Sequence, residues 1–390
     1  MIALKNGHFS TVTHGEREKL TILIENGKIA AVGEAVEIPE NAEIIDCSGK
    51  WVTPGFIDAH THISTANYPN YNNMYLDLNE KSAPVTPTLR VEDSLNPFDL
   101  AIEKTRQAGI TTACSLPGSA NAIGGMGICF KLKKADTAAE MIIPGTEQFK
   151  LAFGENPKIY HPDGRAPMTR MMIASIIRSY FFRASQYLEA KKDAEAKGQQ
   201  FKADFELEPG AAVLERKVKV RAHCHRSDDI VTALKIADEF GFDISIEHAT
   251  EGYLIADHLK KSRAEFVLGP VVMDPTKLET GRLSLKAPGI MEKAGIEFSL
   301  MQDCGINTYL LPVYAGLCIG YGLSQEAAMR ALTINPARLL KLDDRIGSLD
   351  VGKDADIAIW NGNPFSNFTI CETTIIDGVV YKRNESGAHY

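Results

Sequence analysis

WVTPGFIDAHTHIS, residues 51–64, opens on a Pro-Gly turn, runs through an apolar stretch and ends with two histidines one residue apart. Side chains two apart on a strand point to the same side, so His60 and His62 share a face and one metal ion can take both imidazoles. A His-x-His pair alone is a weak signal. The turn, the apolar run and Asp58 ahead of the pair give this one its weight.

Working outward, residues 2–50 alternate short β-like runs with turns: IALKNG, LTILIENGKIAAVG and AEIIDCSG, with Asn26-Gly27 a strong hairpin signal. The same style returns in DADIAIWNG and in TIIDGVVYKR around Asp377-Gly378. Residues 1–50 and 345–390 are therefore expected to build one small composite β-sandwich. Between them, apolar strand-like runs (ITTACSL, VKVRAHCH, ISIEH) alternate with amphipathic segments such as IVTALKIADEFG. That repetition predicts an α/β fold in which residues 51–344 form a (β/α)8 TIM barrel, whose active site lies at the C-terminal ends of its strands. No glycine-rich dinucleotide turn follows any strand, which argues against an open doubly wound sheet.

Two insertions interrupt the pattern. Residues 64–98 follow the first barrel strand and lack a clear period, as expected of a loop roofing the site. Residues 161–216 carry a helical run with apolar Met172, Ile173, Ile176, Ile177, Tyr180 and Phe181. A lid and an oligomer contact are open readings of it; a helix packed on the barrel flank is the plainer one. The glycines of PGSANAIGGMG lack the Lys and Ser/Thr of a phosphate-binding loop and read as a turn lining the site.

At 390 residues, with 44% hydrophobic and 24% charged residues, the chain has the composition of a globular protein with a barrel and a satellite domain. A formal net charge of −8 without a basic patch excludes nucleic-acid binding, and no window is apolar enough to span a membrane. The seven scattered cysteines form no C-x-x-C pair and fit free thiols in a reducing, cytoplasmic setting. Cys224 and Cys304, beside candidate ligands, read as buried bystanders.

PGFIDAHTH resembles the PGxIDxHxH signature of the amidohydrolase superfamily, and TINPARLLKLDDRIGSLDVGKDADIAIWN is similar to that superfamily's closing pattern. The resemblance covers essentially the whole chain and is nearest the imidazolonepropionase-related group, with its prolidase-like enzymes. It implies a metal-dependent hydrolase of carbon–nitrogen bonds, holding one or two divalent ions: zinc first, with manganese, iron or cobalt as alternatives. The implied ligands are His60, His62, His223, His248 and Asp303, with His225 open as an alternative to His223. Lys150 stands where binuclear members carry a carbamylated lysine, and a plain salt-bridging lysine is its other reading. Asp303 is also the implied proton carrier.

Mononuclear deaminases of the superfamily carry a glutamate three residues after the fifth-strand histidine, where this chain has Arg226. That disfavours deamination, although Glu251 offers a more distant acid. A non-catalytic scaffold is disfavoured by retention of the whole ligand set. Expected substrates are small molecules such as dipeptides, acyl amino acids or cyclic amides. His225, Arg226 and Arg170 are candidates for an anionic group, and Tyr71, Asn72, Glu155, Asn156, Glu251 and Tyr253 are candidates in mouth loops. The sequence leaves homo-oligomerisation open.

Overall fold

The computed structural model of the chain describes residues 1–66, 76–159, 167–273 and 276–383. Seven strands lead into the barrel: β1 (Ile2–Lys5), β2 (His8–Ser10), β3 (Glu16–Arg17), β4 (Thr21–Glu25), β5 (Lys28–Gly33), β6 (Glu43–Asp46) and β7 (Trp51–Pro54). Eight follow in one sheet: β8 (Phe56–Thr61), β9 (Ile110–Ser115), β10 (Ile123–Lys131), β11 (Gln148–Ala152), β12 (Lys219–Cys224), β13 (Ile244–His248), β14 (Glu265–Leu268) and β15 (Ser299–Leu300). The chain closes with β16 (Ile357–Trp360), β17 (Cys371–Ile376) and β18 (Val379–Lys382).

The terminal strands form two sheets, one ordered β5-β4-β1-β6 and one ordered β18-β17-β16-β7-β2-β3, so the second draws on both ends of the chain. Leu4, Phe9, Ile22, Val52, Ile357 and Ile375 from the two sheets share one buried apolar cluster. The hairpins β4–β5 and β17–β18 turn at Asn26-Gly27 and Asp377-Gly378, where all four residues have φ between 48° and 76°. Two-residue turns of this kind match the strand twist only with both central residues left-handed, which Asn, Asp and Gly tolerate. The two turns also touch, for a Cβ on Gly27 would lie 2.9 Å from the Asp377 carbonyl oxygen.

The eight central strands run in chain order from β8 to β15, and the nearly closed barrel is completed where the Asp303 N–H donates to His60 O at 3.1 Å. One strand departs from a strict (β/α)8 repeat: β10 runs antiparallel to both β9 and β11. The reason is connection length. A parallel return needs a crossover of a dozen or more residues, and residues 116–122 allow only a direct return. The expected glycine turn is accordingly corrected, since Gly124, Gly125 and Gly127 lie inside β10. A Cβ on Gly124 would lie 3.3 Å from Lys150 Cγ, so the missing side chain leaves room for that lysine.

The helix Arg170–Ala196 packs on the barrel flank, burying Ile173, Ile177, Tyr180 and Phe181 against Phe149 and Phe242. The helix Ser227–Phe240 buries Ile230, Ala233, Ile236 and Ala237 and stops at left-handed Gly241, whose N–H caps Ala237 O. Lys131, ending β10, ties barrel to terminal sheets by pairing with Asp354, Asp356 and Asp377. No helix among the described residues is long and apolar enough to cross a membrane.

Candidate metal centre

Strand alternation delivers most of the site. On β8 and its extension, Asp58, His60 and His62 are two apart, and on β12 and its extension Arg221, His223 and His225 repeat the spacing. All six are buried, while Val220, Ala222 and Cys224 belong to the apolar layer beneath the helices. Cys304 Sγ instead accepts from the N–H groups of Ile306 and Asn307. His248 ends β13, and Asp303 follows β15.

Two groups of ligand atoms, each within 4.8 Å, result: His60, His62 and Asp303, and His223, His225 and His248. The groups adjoin, with the His60 and His248 rings 5.6 Å apart. Lys150 Nζ lies 3.1 Å from His60 Nε2. Burial pushes the Lys150 ammonium down to about 8, and pushes His60 and His223 well below the usual histidine range and His248 down to about 4.

The hydrogen bonds fix how these rings face. A carbonyl only accepts, so His62 donates Nδ1–H to Leu116 O and His248 donates Nδ1–H to Gly269 O, both at 2.8 Å. A neutral ring so committed presents a bare lone pair at Nε2. Those lone pairs point at a carboxylate: His62 Nε2 is 3.1 Å and His60 Nε2 3.2 Å from Asp303 Oδ1, and His248 Nε2 is 3.9 Å from Asp303 Oδ2. The buried Nε2 atoms of His223 and His248 have no hydrogen-bond partner. Imidazole lone pairs and a carboxylate gathered here, with the Lys150 amine beside His60 Nε2 the one donor among the residues named, are the donor set of a divalent cation, so the residues fit a metal.

The sequence candidates scatter more widely around the mouth. His225 donates Nδ1–H to Thr250 Oγ1 at 2.8 Å, and its Nε2 accepts from Lys277 Nζ at 3.3 Å. Asn156 accepts from the same ammonium at 2.8 Å. Arg170 pairs with Asp229 and Glu279, and the Glu155 N–H donates to Glu279. Arg226 is not brought to the histidines; it pairs with Asp228 at the surface. Glu251 accepts from the N–H and hydroxyl of Ser227, and the Tyr253 hydroxyl from the exposed side donates to Arg282 O. Tyr71 and Asn72 lie outside the described residues.

Three residues of the site escape a sequence reading. Lys277 sits in an irregular loop with no period to flag it. Glu247 Oε2 accepts from His60 Nδ1–H at 2.8 Å, and Arg221 donates to both oxygens of Glu247 at 2.7 and 2.9 Å. Burial opposes ionisation of Glu247, yet Arg221 and the His60 hydrogen bond keep it far below the ordinary carboxylate range.

Comparison with known proteins gives the family. Residues 51–384 match the amidohydrolase family. Amidohydrolase tasK of Hapsidospora irregularis is 29% identical over 371 residues, covering 88% of this chain; the chain spans only 38% of that relative's length. Imidazolonepropionase of Maricaulis maris is 26% identical over 388 residues, covering 89% of this chain and 88% of its own. Among solved structures, an amidohydrolase of Thermotoga maritima superposes with a TM-score of 0.94 at 39% identity, covering 98% of this chain and all of its own. A prolidase complexed with N-methylphosphonate-L-proline shares the fold, with a TM-score of 0.63 at 18% identity over 98% of this chain and 100% of that one. The chain therefore belongs to the amidohydrolase family, a metal-dependent superfamily in which imidazolonepropionases are among its relatives, and is a hydrolase of carbon–nitrogen bonds.

Proposed function

We propose that the chain hydrolyses an amide-type bond in a small molecule such as a dipeptide, an acyl amino acid or a cyclic amide, with Asp303 moving the proton. The observation that carries this reading is the convergence of the Nε2 atoms of His60, His62 and His248 on Asp303, beside the unpartnered Nε2 of His223. His60, His62, His223, His248 and Asp303 would hold one or two divalent ions, zinc first. When bound, such ions supply Lewis acidity and a source of hydroxide at neutral pH.

The chain's own groups do the rest. Asp303, ionised and a quarter exposed, takes the proton of the attacking water and returns it to the leaving nitrogen. Lys150 is buried against His60, and its lowered pKa favours the free amine, which combines with carbon dioxide to give a carbamate and release a proton. The anionic carbamate replaces a cation that would repel an ion beside His60. Loop residues at the mouth, His225, Asn156 and Lys277 foremost, would contact substrate. The barrel at residues 51–344 and a terminal unit at 1–50 and 345–390 are the domains of this reading.

The test is turnover of the zinc- or manganese-loaded protein on panels of dipeptides, acyl amino acids and cyclic amides, following amine and ammonia separately. Release of a carboxylate and an amine supports the reading. Ammonia as the sole nitrogen product would transfer it to deamination, and no turnover on any panel would remove the substrate class.

A further inference from the structure

Adjacent residues on a strand normally face opposite sides, so Glu247 and His248 should not both reach the barrel interior. They do, because His248 has φ +70° and Ala249 φ +45°, left-handed values that are uncommon outside glycine. The strand end is thus turned so that one residue serves each half of the site. His248 Nε2 faces the His223 side, while Glu247, one step deeper, takes the Nδ1–H of His60.

Glu247 is itself held on every side. Arg221 donates Nε–H to Oε1 at 2.7 Å and an Nη–H to Oε2 at 2.9 Å, and the Ser245 hydroxyl donates to Oε1 at 2.5 Å. Arg221 is anchored in turn to Ala59 O at 2.8 Å, on the strand that carries His60. Arg221, Ser245, Glu247 and His60 are all fully buried. His62 and His248 are oriented by backbone carbonyls, whereas the orientation of His60 rests on a side chain held by two others.

We infer that Glu247, clamped by Arg221 and Ser245, is a positioning residue that fixes the ring of His60 with Nε2 toward the metal centre and so sets the affinity of the ion His60 binds. The clamp never touches substrate. A rigid carboxylate partner orients a ligating imidazole and raises its basicity, and loss of such a partner typically costs ~10–100-fold in metal affinity. The left-handed turn at His248 is the local strain that lets one strand supply both clamp and ligand.

This inference rests on His60 being a metal ligand, and the experiment separates the two claims. Zinc affinity is measured by competition with a chromophoric chelator on the metal-stripped full chain, for wild type, His60→Ala, Glu247→Gln and Arg221→Met/Glu247→Gln. The double variant removes both buried charges together, which spares the fold from an isolated arginine cation. The expected result is that Glu247→Gln, though less stable for its unpaired Arg221, weakens by ~10–100-fold the same ion that His60→Ala loses, with any other ion within about twofold. If Glu247→Gln does not fold, the double variant is read in its place with the same expectation. Affinity within about twofold of wild type at every position would overturn the clamp; no zinc bound by wild type would overturn the functional reading instead.

Discussion

Lys277 places its ammonium 3.3 Å from Nε2 of His225, and its other contacts among the described residues are Asn156 Oδ1 at 2.8 Å and Glu279 Oε1 at 3.2 Å. Two of these partners are neutral, and the His225 contact is the longest of the three. A substrate carboxylate entering the mouth can replace it and gain a charge-assisted hydrogen bond, worth roughly 1.5–3 kcal/mol. Lys277→Met is therefore expected to raise KM by ~10–100-fold for substrates with a free carboxylate while leaving kcat within a few-fold. Amide-capped analogues should lose nothing. Equal losses on both kinds of substrate would remove the anchoring role.

How much of this was legible beforehand depended on how local the signal was. The Asn26-Gly27 and Asp377-Gly378 turns, the His60–His62 pair and the His223–His225 pair follow from dihedral preference and strand alternation, which act over two to four residues. The antiparallel course of β10 was also implicit in residues 116–122, too short for a crossover. Glu247 was hidden because alternation assigns it the face opposite His248, and only the left-handed φ at His248 revokes that assignment. Arg226, by contrast, follows the last inward residue of its strand and turns to Asp228 in solvent. Nothing in its residue type could reveal that.

Lys150 is fully buried with its ammonium against His60 and no carboxylate within salt-bridge distance among the described residues. A plain structural lysine would have such a partner. Lys150→Ala is expected to lose one of two bound ions, measured by plasma mass spectrometry, and short carboxylates such as formate should partly restore turnover by occupying the vacated space. Unchanged metal content in the variant would assign Lys150 no bridging role.

Asp303 faces His60, His62 and His248 with one side chain, and its left-handed backbone, φ +52°, directs the carboxylate across the barrel mouth. Asparagine has the same shape and keeps one oxygen ligand, but it cannot carry a proton. Asp303→Asn should retain most of the metal while kcat falls by ~10²–10⁴-fold, the usual worth of a positioned general acid or base. Turnover near wild type in a metal-loaded variant would exclude Asp303 as the proton carrier.

The junction between barrel and terminal sheets carries the clearest pH dependence outside the site. Asp354 is buried and accepts from Lys131 at 2.7 Å, from Lys28 at 2.5 Å and from Arg345 at 2.9 Å. Burial opposes its ionisation, but the hydrogen bonds from Lys131 and Lys28 outweigh that and hold the carboxyl down to about 2. A carboxyl lowered on folding binds its proton more readily in the unfolded chain, where its pKa is near 3.9. Its stabilisation is therefore complete above pH ~5 and drains away as pH falls toward 2. The drop is worth about 2.6 kcal/mol, set by the distance between those two values. Asp354→Asn should lose about that much at pH 7 and show a flatter acid limb between pH 4 and 2 in urea unfolding followed by tryptophan fluorescence. Trp51 and Trp360 are both positioned to report it, lying opposite one another in the paired strands β7 and β16. An acid limb as steep in the variant as in wild type would place the pH dependence on other carboxylates and leave Asp354 a neutral spectator of the junction.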